Sequence, residues 1–182
     1  MHADMLDAMG IDDDGILCIH GGGVYGNKEK TIERWIENFK QLPPHVQKRL
    51  CIENCERCYS VKDCLRIADS CNIPLILDSH HFDCYNLIPL DISDYMDHVI
   101  LTWTRRNITP VFHISEQRPD ARIGAHSDYI KKIPEYMYDY FHMQYIKTFL
   151  EYLRYLLDLT IFFPLILHHL LDMQQINQFI YL

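Results

Sequence analysis

The sequence predicts an α/β fold in which about four central β/α units build a parallel sheet, with a helical, apolar tail after them. Three observations carry this. Short apolar runs alternate with longer amphipathic stretches over residues 1–133. The segments between the runs are long enough for the crossovers that parallel strands require. Hydrophobic residues are 48% of the 182 in the chain, enough for one core.

Residues 15–20 (GILCIH) are apolar almost throughout, which predicts a strand buried on both faces, ended by the glycines 21–23. In residues 27–40, Ile32, Trp35, Ile36 and Phe39 recur at helical spacing, and Pro43 and Pro44 stop the helix. Residues 49–53 (RLCIE) form the second strand. Ser60 caps the next helix, which runs to about Ser70, with Asp63 at the reciprocal position of a capping box. Residues 73–78 (IPLILD) are the third strand, residues 93–103 a third helix and residues 110–115 (PVFHIS) the fourth strand. From Ser127 a further helix is expected, with Ile130, Ile133 and Met137 on one side. Residues 134–182 form the tail, where Leu150, Leu153, Leu157 and Ile161 make a helical stripe.

A formal charge of −8 excludes wholesale wrapping of nucleic acid and leaves room only for a local contact. Arg105, Arg106, Arg118, Arg122, Lys131 and Lys132 are candidates for such a rim, although solvated loop charge is the simpler account of any one of them. The opening MHADMLDAMG has no secretory pattern, and the seven cysteines are an odd count, so reduced thiols and an intracellular, non-secreted location are expected. The stretch 159–167 is interrupted by Pro164 and is far shorter than a membrane span, so no membrane partner is expected. Nothing in the sequence identifies an obligate protein partner. Neither GxGxxG nor GxxxxGK[ST] follows any strand, so the usual phosphate-binding loops of nucleotide-binding sheets are missing.

The predicted strands end in potential metal ligands: His20 on the first, Glu53 on the second, Asp78 with His80 and His81 on the third, and His113 on the fourth, with His126 in the following loop. In α/β folds the carboxyl ends of the strands carry the ligand site. Imidazole and carboxylate together suit Zn, Mn or Fe, and a carboxylate can bridge two ions. His2, His45, His98, His142, His168 and His169 share no such register and are read as solvated or capping residues.

The segments IHGGGVYGNKEKTIERW, LCIENCERCYSVKDCLRIAD, IPLILDSHHFDCYN and FHISEQRPDARIGAHSDYI, in this order and spacing, resemble the UV damage endonuclease family over about residues 1–133. The resemblance implies a TIM-type (β/α)8 barrel, here incomplete. It also implies two or three divalent ions, manganese by family habit, at the carboxyl ends of the strands. The implied substrate is UV-damaged double-stranded DNA, nicked 5′ to the photoproduct. Carried over by position, His20, Glu53, Asp78, His81, His113 and His126 match metal ligands, with Glu53 the bridging carboxylate and Glu53 and His81 the residues expected to act in catalysis. His80 matches a neighbour outside the ligand set.

The chain departs from the family in four respects. It is short of the roughly 250 residues of a full barrel, and the family's first three strands and its last metal-binding Glu have no counterpart. Val111 stands where the family carries a Lys, and Cys55 where it commonly has Asp. An unclosed sheet of four strands leaves edges and an apolar face, which predicts self-association. The other reading is therefore a catalytically incomplete barrel fragment that at most binds a divalent metal. Metal-dependent sugar isomerases and apurinic-site endonucleases share the ligand types, but the flanking segments favour the UV enzyme. Cys51, Cys55 and Cys58 spell C-x3-C-x2-C, as in radical S-adenosylmethionine enzymes, but Cys51 falls inside a strand, where a cluster ligand is out of place.

Overall fold

The computed structural model describes residues 1–85 and 91–138. The expected tail helix, with His142, His168 and His169, lies outside them. The chain divides into compact units Met1–Pro134 and Glu135–Leu182. The first contains α1 (His2–Ala8), β1 (Leu17–His20), α2 (Lys28–Lys40), α3 (Pro44–Gln47), β2 (Leu50–Glu53), α4 (Val61–Cys71), β3 (Leu75–Asp78), α5 (Ser79–Cys84), α6 (Ser93–Thr104) and β4 (Phe112–His113). No helix among the described residues is long and apolar enough to cross a membrane.

The four strands form one parallel sheet in the order β1-β2-β3-β4, so each β/α unit adds its strand beside the last. β1 and β2 pair level, with His20 opposite Glu53. Between β2 and β3 the register steps: Glu53 faces Ile76, and Asp78 stands two residues further along, level with His113. Such a stagger is what a tilted, barrel-type sheet produces.

The apolar stripe of α2 buries Ile32 and Phe39, and Trp35 stacks on Phe39 with ring centroids 5.9 Å apart. The Asn27 side chain accepts from Lys30 N, so a polar cap starts the helix. In α4 the expected capping box is present: Ser60 Oγ accepts from Asp63 N, and the Asp63 carboxylate accepts from Ser60 N. Val61, Cys64, Leu65, Ile67 and Ala68 then face the fully buried β2 and β3.

The amino end of this core is stitched by polar side chains. Thr102 Oγ1 accepts from Leu75 N at 3.0 Å and Trp103 Nε1 donates to Leu75 O at 2.7 Å, which fixes α6 against the start of β3. Arg49, just before β2, donates to Asp7 Oδ1 through Nε and Nη2, and to the carbonyls of Ile11, Asp12 and Gly15. One buried guanidinium thus ties the N-terminal helix and the loop before β1 to the amino end of the sheet.

Three expectations are corrected. β1 is an exposed edge rather than a strand buried on both faces, with only Leu17 partly covered, because among the described residues it pairs with β2 alone. β4 is two residues long, with Pro110 unable to donate to a ladder. No helix forms at Ser127; residues 127–134 are irregular and a helical turn appears only at 135–138. The Lys131 and Lys132 amides donate to Glu116 Oε1 at 2.6 and 2.7 Å instead of to helical carbonyls, and Pro134 disfavours the helical conformation at Ile133.

Candidate metal centre

The six residues expected at the strand ends come together. Glu53, buried at the tip of β2, is the hub: Oε2 lies 3.2 Å from His20 Nε2 on β1, and Oε1 lies 2.8 Å from His113 Nδ1 on β4 and 3.7 Å from His81 Nδ1. Asp78, 1% exposed, caps α5 by accepting from His81 N at 2.9 Å and stands 3.9 Å from His81 Nδ1. That cap explains why a short helix follows β3 at once and why His81 is swung back over the strand ends.

His81 Nδ1 is 2.9 Å from the Asn54 carbonyl, which can only accept, so Nδ1 carries the proton and the lone pair of the neutral ring is on Nε2. That Nε2 lies 2.9 Å from His126 Nε2. Asn54 is the positioning residue that sequence reasoning missed. Its side chain donates to Asp78 O at 3.0 Å and accepts from Asp78 N at 2.8 Å, continuing the β2–β3 ladder beyond Glu53. An Asn directly after the strand-end Glu was the available signal.

His126 arrives on a loop folded back on itself. Gln117 bridges His126 in antiparallel fashion, and the Gln117 side chain accepts from Gly124 N while donating to the carbonyls of Arg118, Ala121 and Arg122. Gly124 has φ +83°, and a Cβ there would collide with the Glu56 side chain, so glycine is required. At Gly21 a Cβ would meet the Tyr59 ring at 2.6 Å, so packing accounts for that glycine without a phosphate.

Burial alone would push the Glu53 carboxyl up. Hydrogen bonds from His113, His20 and Cys18 outweigh it and hold the acid far below the usual carboxylate range. The same bonds to Glu53 raise His113 and His20 against the opposing effect of their burial. Protons thus stand where a cation would. Donor atoms of His20, Glu53 and His81, and separately of Asp78, His81 and His126, lie within 4.8 Å of one another, and His20, Glu53, His81, His113 and His126 line a cavity of about 580 Å³. Imidazole and carboxylate donors at this spacing fit a divalent metal.

A family model for the UV-endonuclease UvdE matches residues 1–148. The chain belongs to that family. It is 42% identical over 140 residues to a protein of Acanthamoeba polyphaga mimivirus that carries the name UV-damage endonuclease, covering 75% of this chain and 42% of the relative. A UV DNA damage endonuclease of Bacillus cereus (strain G9842) is 38% identical over 150 residues, 82% of this chain and 44% of its own length. Among solved structures, the crystal structure of SacUVDE, which has a TIM-barrel-like fold, superposes with a TM-score of 0.65 at 40% identity, covering 71% of this chain and 43% of that one. The chain spans less than half the length of the curated relatives it matches.

The remaining candidates separate cleanly. His80 is buried beside the centre, its ring edge-on to His126 with centroids 5.6 Å apart, and burial holds its imidazole low. His45 and His98 are paired with Asp4 and Asp69 on the surface. Of the basic residues, Arg105 and Arg106 bind Asp69 and the carbonyl of Asn72 around α6, away from the centre, and Arg118 pairs with Asp128. Arg122 lines the cavity. Cys51 is fully buried inside β2 rather than on a loop, where a cluster ligand is out of place. Cys55 Sγ accepts the amides of Cys58 and Tyr59 at 3.2 and 3.1 Å, the turn-forming role of an Asp carboxylate, so that change from the family pattern stays out of the centre.

Proposed function

We propose that this chain carries the metal centre of a DNA repair endonuclease that hydrolyses the phosphodiester backbone 5′ to UV photoproducts in double-stranded DNA. The observation that carries the reading is the convergence of His20, Glu53, Asp78, His81, His113 and His126 at one end of four adjacent parallel strands. When bound, divalent ions, manganese in this reading, supply charge to hold the scissile phosphate, acidify a water and stabilise the departing 3′ oxygen. His20, Glu53, Asp78, His81, His113 and His126 would hold the ions. Glu53, with each oxygen already shared between neighbours, would be the carboxylate common to more than one donor set. His81 presents Nε2 to the cavity, its other nitrogen locked by Asn54, and with Glu53 acts at the reacting phosphate. Arg122 at the cavity wall offers a phosphate contact.

A second reading, metal binding without cleavage, is favoured by Val111, which two residues before His113 can neither bind metal nor be modified to do so. One experiment separates them: nicking of UV-irradiated supercoiled plasmid with added Mn²⁺, beside the metal content of the protein by mass spectrometry. Nicking that requires UV and metal and is lost in Glu53→Ala supports the endonuclease. Stoichiometric metal without nicking supports the second reading.

A further inference from the structure

We propose that Cys18 is a metal ligand, its sulfur joining the Glu53 carboxylate and the His113 imidazole in a mixed site for a borderline-soft divalent cation such as Zn²⁺. The proposal rests on the metal-centre reading above and deepens it. Side chains alternate along a strand, so Cys18 shares the face of β1 that carries His20, one step nearer the amino end. Its Sγ is 2.9 Å from Glu53 Oε2, while His113 Nδ1 is 2.8 Å from Glu53 Oε1. One donor atom from each of Cys18, Glu53 and His113 lies within 4.8 Å of the other two.

Glu53 therefore belongs to two donor sets at once, one with His20 and His81 and one with Cys18 and His113. A carboxylate so placed can hold two ions. The two positions differ in chemistry. Nitrogen and oxygen alone suit Mn²⁺ as well as Zn²⁺, whereas a thiolate discriminates, because Zn²⁺ and Co²⁺ bind sulfur strongly and Mn²⁺ prefers oxygen. Entry of the ion releases the thiol proton to solvent and puts the cation in its place. All seven cysteines are described and free, and Cys18 alone among them enters a donor set with Glu53. The exposed edge of β1 leaves this thiol open to an incoming ion.

Co²⁺ titration of the purified chain tests the idea by spectroscopy, without any DNA. The wild type should develop visible d–d bands together with a near-ultraviolet sulfur-to-cobalt charge-transfer band. Cys18→Ser should lose the charge-transfer band and keep d–d bands, while Cys58→Ser keeps both. Zn²⁺ affinity should fall by about tenfold to a hundredfold in Cys18→Ser, with Mn²⁺ affinity unchanged. Cobalt bound with d–d bands but no charge-transfer band in the wild type, or a charge-transfer band that survives Cys18→Ser, overturns the role of Cys18 and leaves the metal centre standing. No cobalt bound by any variant with an intact circular dichroism spectrum overturns both.

Discussion

At the amino end of the sheet Arg49 is 2% exposed and each N–H of its guanidinium is hydrogen-bonded, to Asp7 or to the carbonyls of Ile11, Asp12 and Gly15. At the carboxyl end Glu53 and Asp78 are 5% and 1% exposed, yet two of the partners of Glu53, His20 and His113, keep side chains 46% and 43% exposed, and two imidazole nitrogens face each other at 2.9 Å. Buried charge is costly in either place. At the amino end protein groups satisfy it completely, which is how a structural ion pair is built. At the carboxyl end the donors converge on an open cavity, the arrangement expected of the proposed cation site. The difference teaches that burial alone does not mark a functional charge; the kind of partner does, fixed carbonyls and one acid around Arg49 against half-exposed imidazoles around Glu53.

The largest test of this contrast is Arg49→Ala. It strands three carbonyls and Asp7 together and should cost about 3–5 kcal/mol, read as a lower urea midpoint. Metal affinity measured on the fraction that remains folded should not change. If Arg49→Ala were nearly neutral in stability, the amino end would not be the structural half. The converse is His113→Ala. It should lower metal affinity by about tenfold to a hundredfold by calorimetric titration, while the urea midpoint of the metal-free protein falls by less than in Arg49→Ala, since Glu53 keeps His20 and Cys18 as partners. A large stability loss from His113→Ala would erase the distinction between the two ends.

The sequence revealed these two halves unequally. Periodicity exposed α2 and α4, and the Ser60/Asp63 capping box is a local signal that tertiary context did not override. The apolar runs of β2 and β3 were legible because they are buried on both faces. β1 reads the same way in sequence but is an edge, because composition records that a strand is apolar and not what covers it. The clustering of His20, Glu53, Asp78, His81 and His113 was legible through recurrence at one register, and His126 follows in the next loop. Asn54, Cys18 and the Arg49 clamp were not, since each acts through partners more than 20 residues away in sequence. The helix expected at Ser127 failed for a related reason: Glu116, distant in sequence, takes the amides of Lys131 and Lys132.

A smaller effect sharpens the amino end. Thr102 Oγ1 receives the Leu75 amide, and β3 pairs with β4 only from Leu77 onward, so Thr102→Val leaves a buried N–H without its partner. The cost should be about 1–2 kcal/mol in urea unfolding. Slowed hydrogen exchange at Leu75 should be lost with it, while metal affinity stays at the wild-type value.

The smallest effect has the opposite sign and belongs to the carboxyl end. The Tyr59 ring packs against Gly21, and the residue is fully buried, but its hydroxyl has no hydrogen-bond partner among the described residues. A buried, unsatisfied hydroxyl loses its hydration without compensation. Tyr59→Phe keeps the ring and removes that loss, so it should stabilise the chain by about 1 kcal/mol, seen as a raised urea midpoint with an unchanged slope. The same hydroxyl deletion at a satisfied position would destabilise, so the sign of the change is diagnostic. A destabilised Tyr59→Phe would mean that the hydroxyl is satisfied after all.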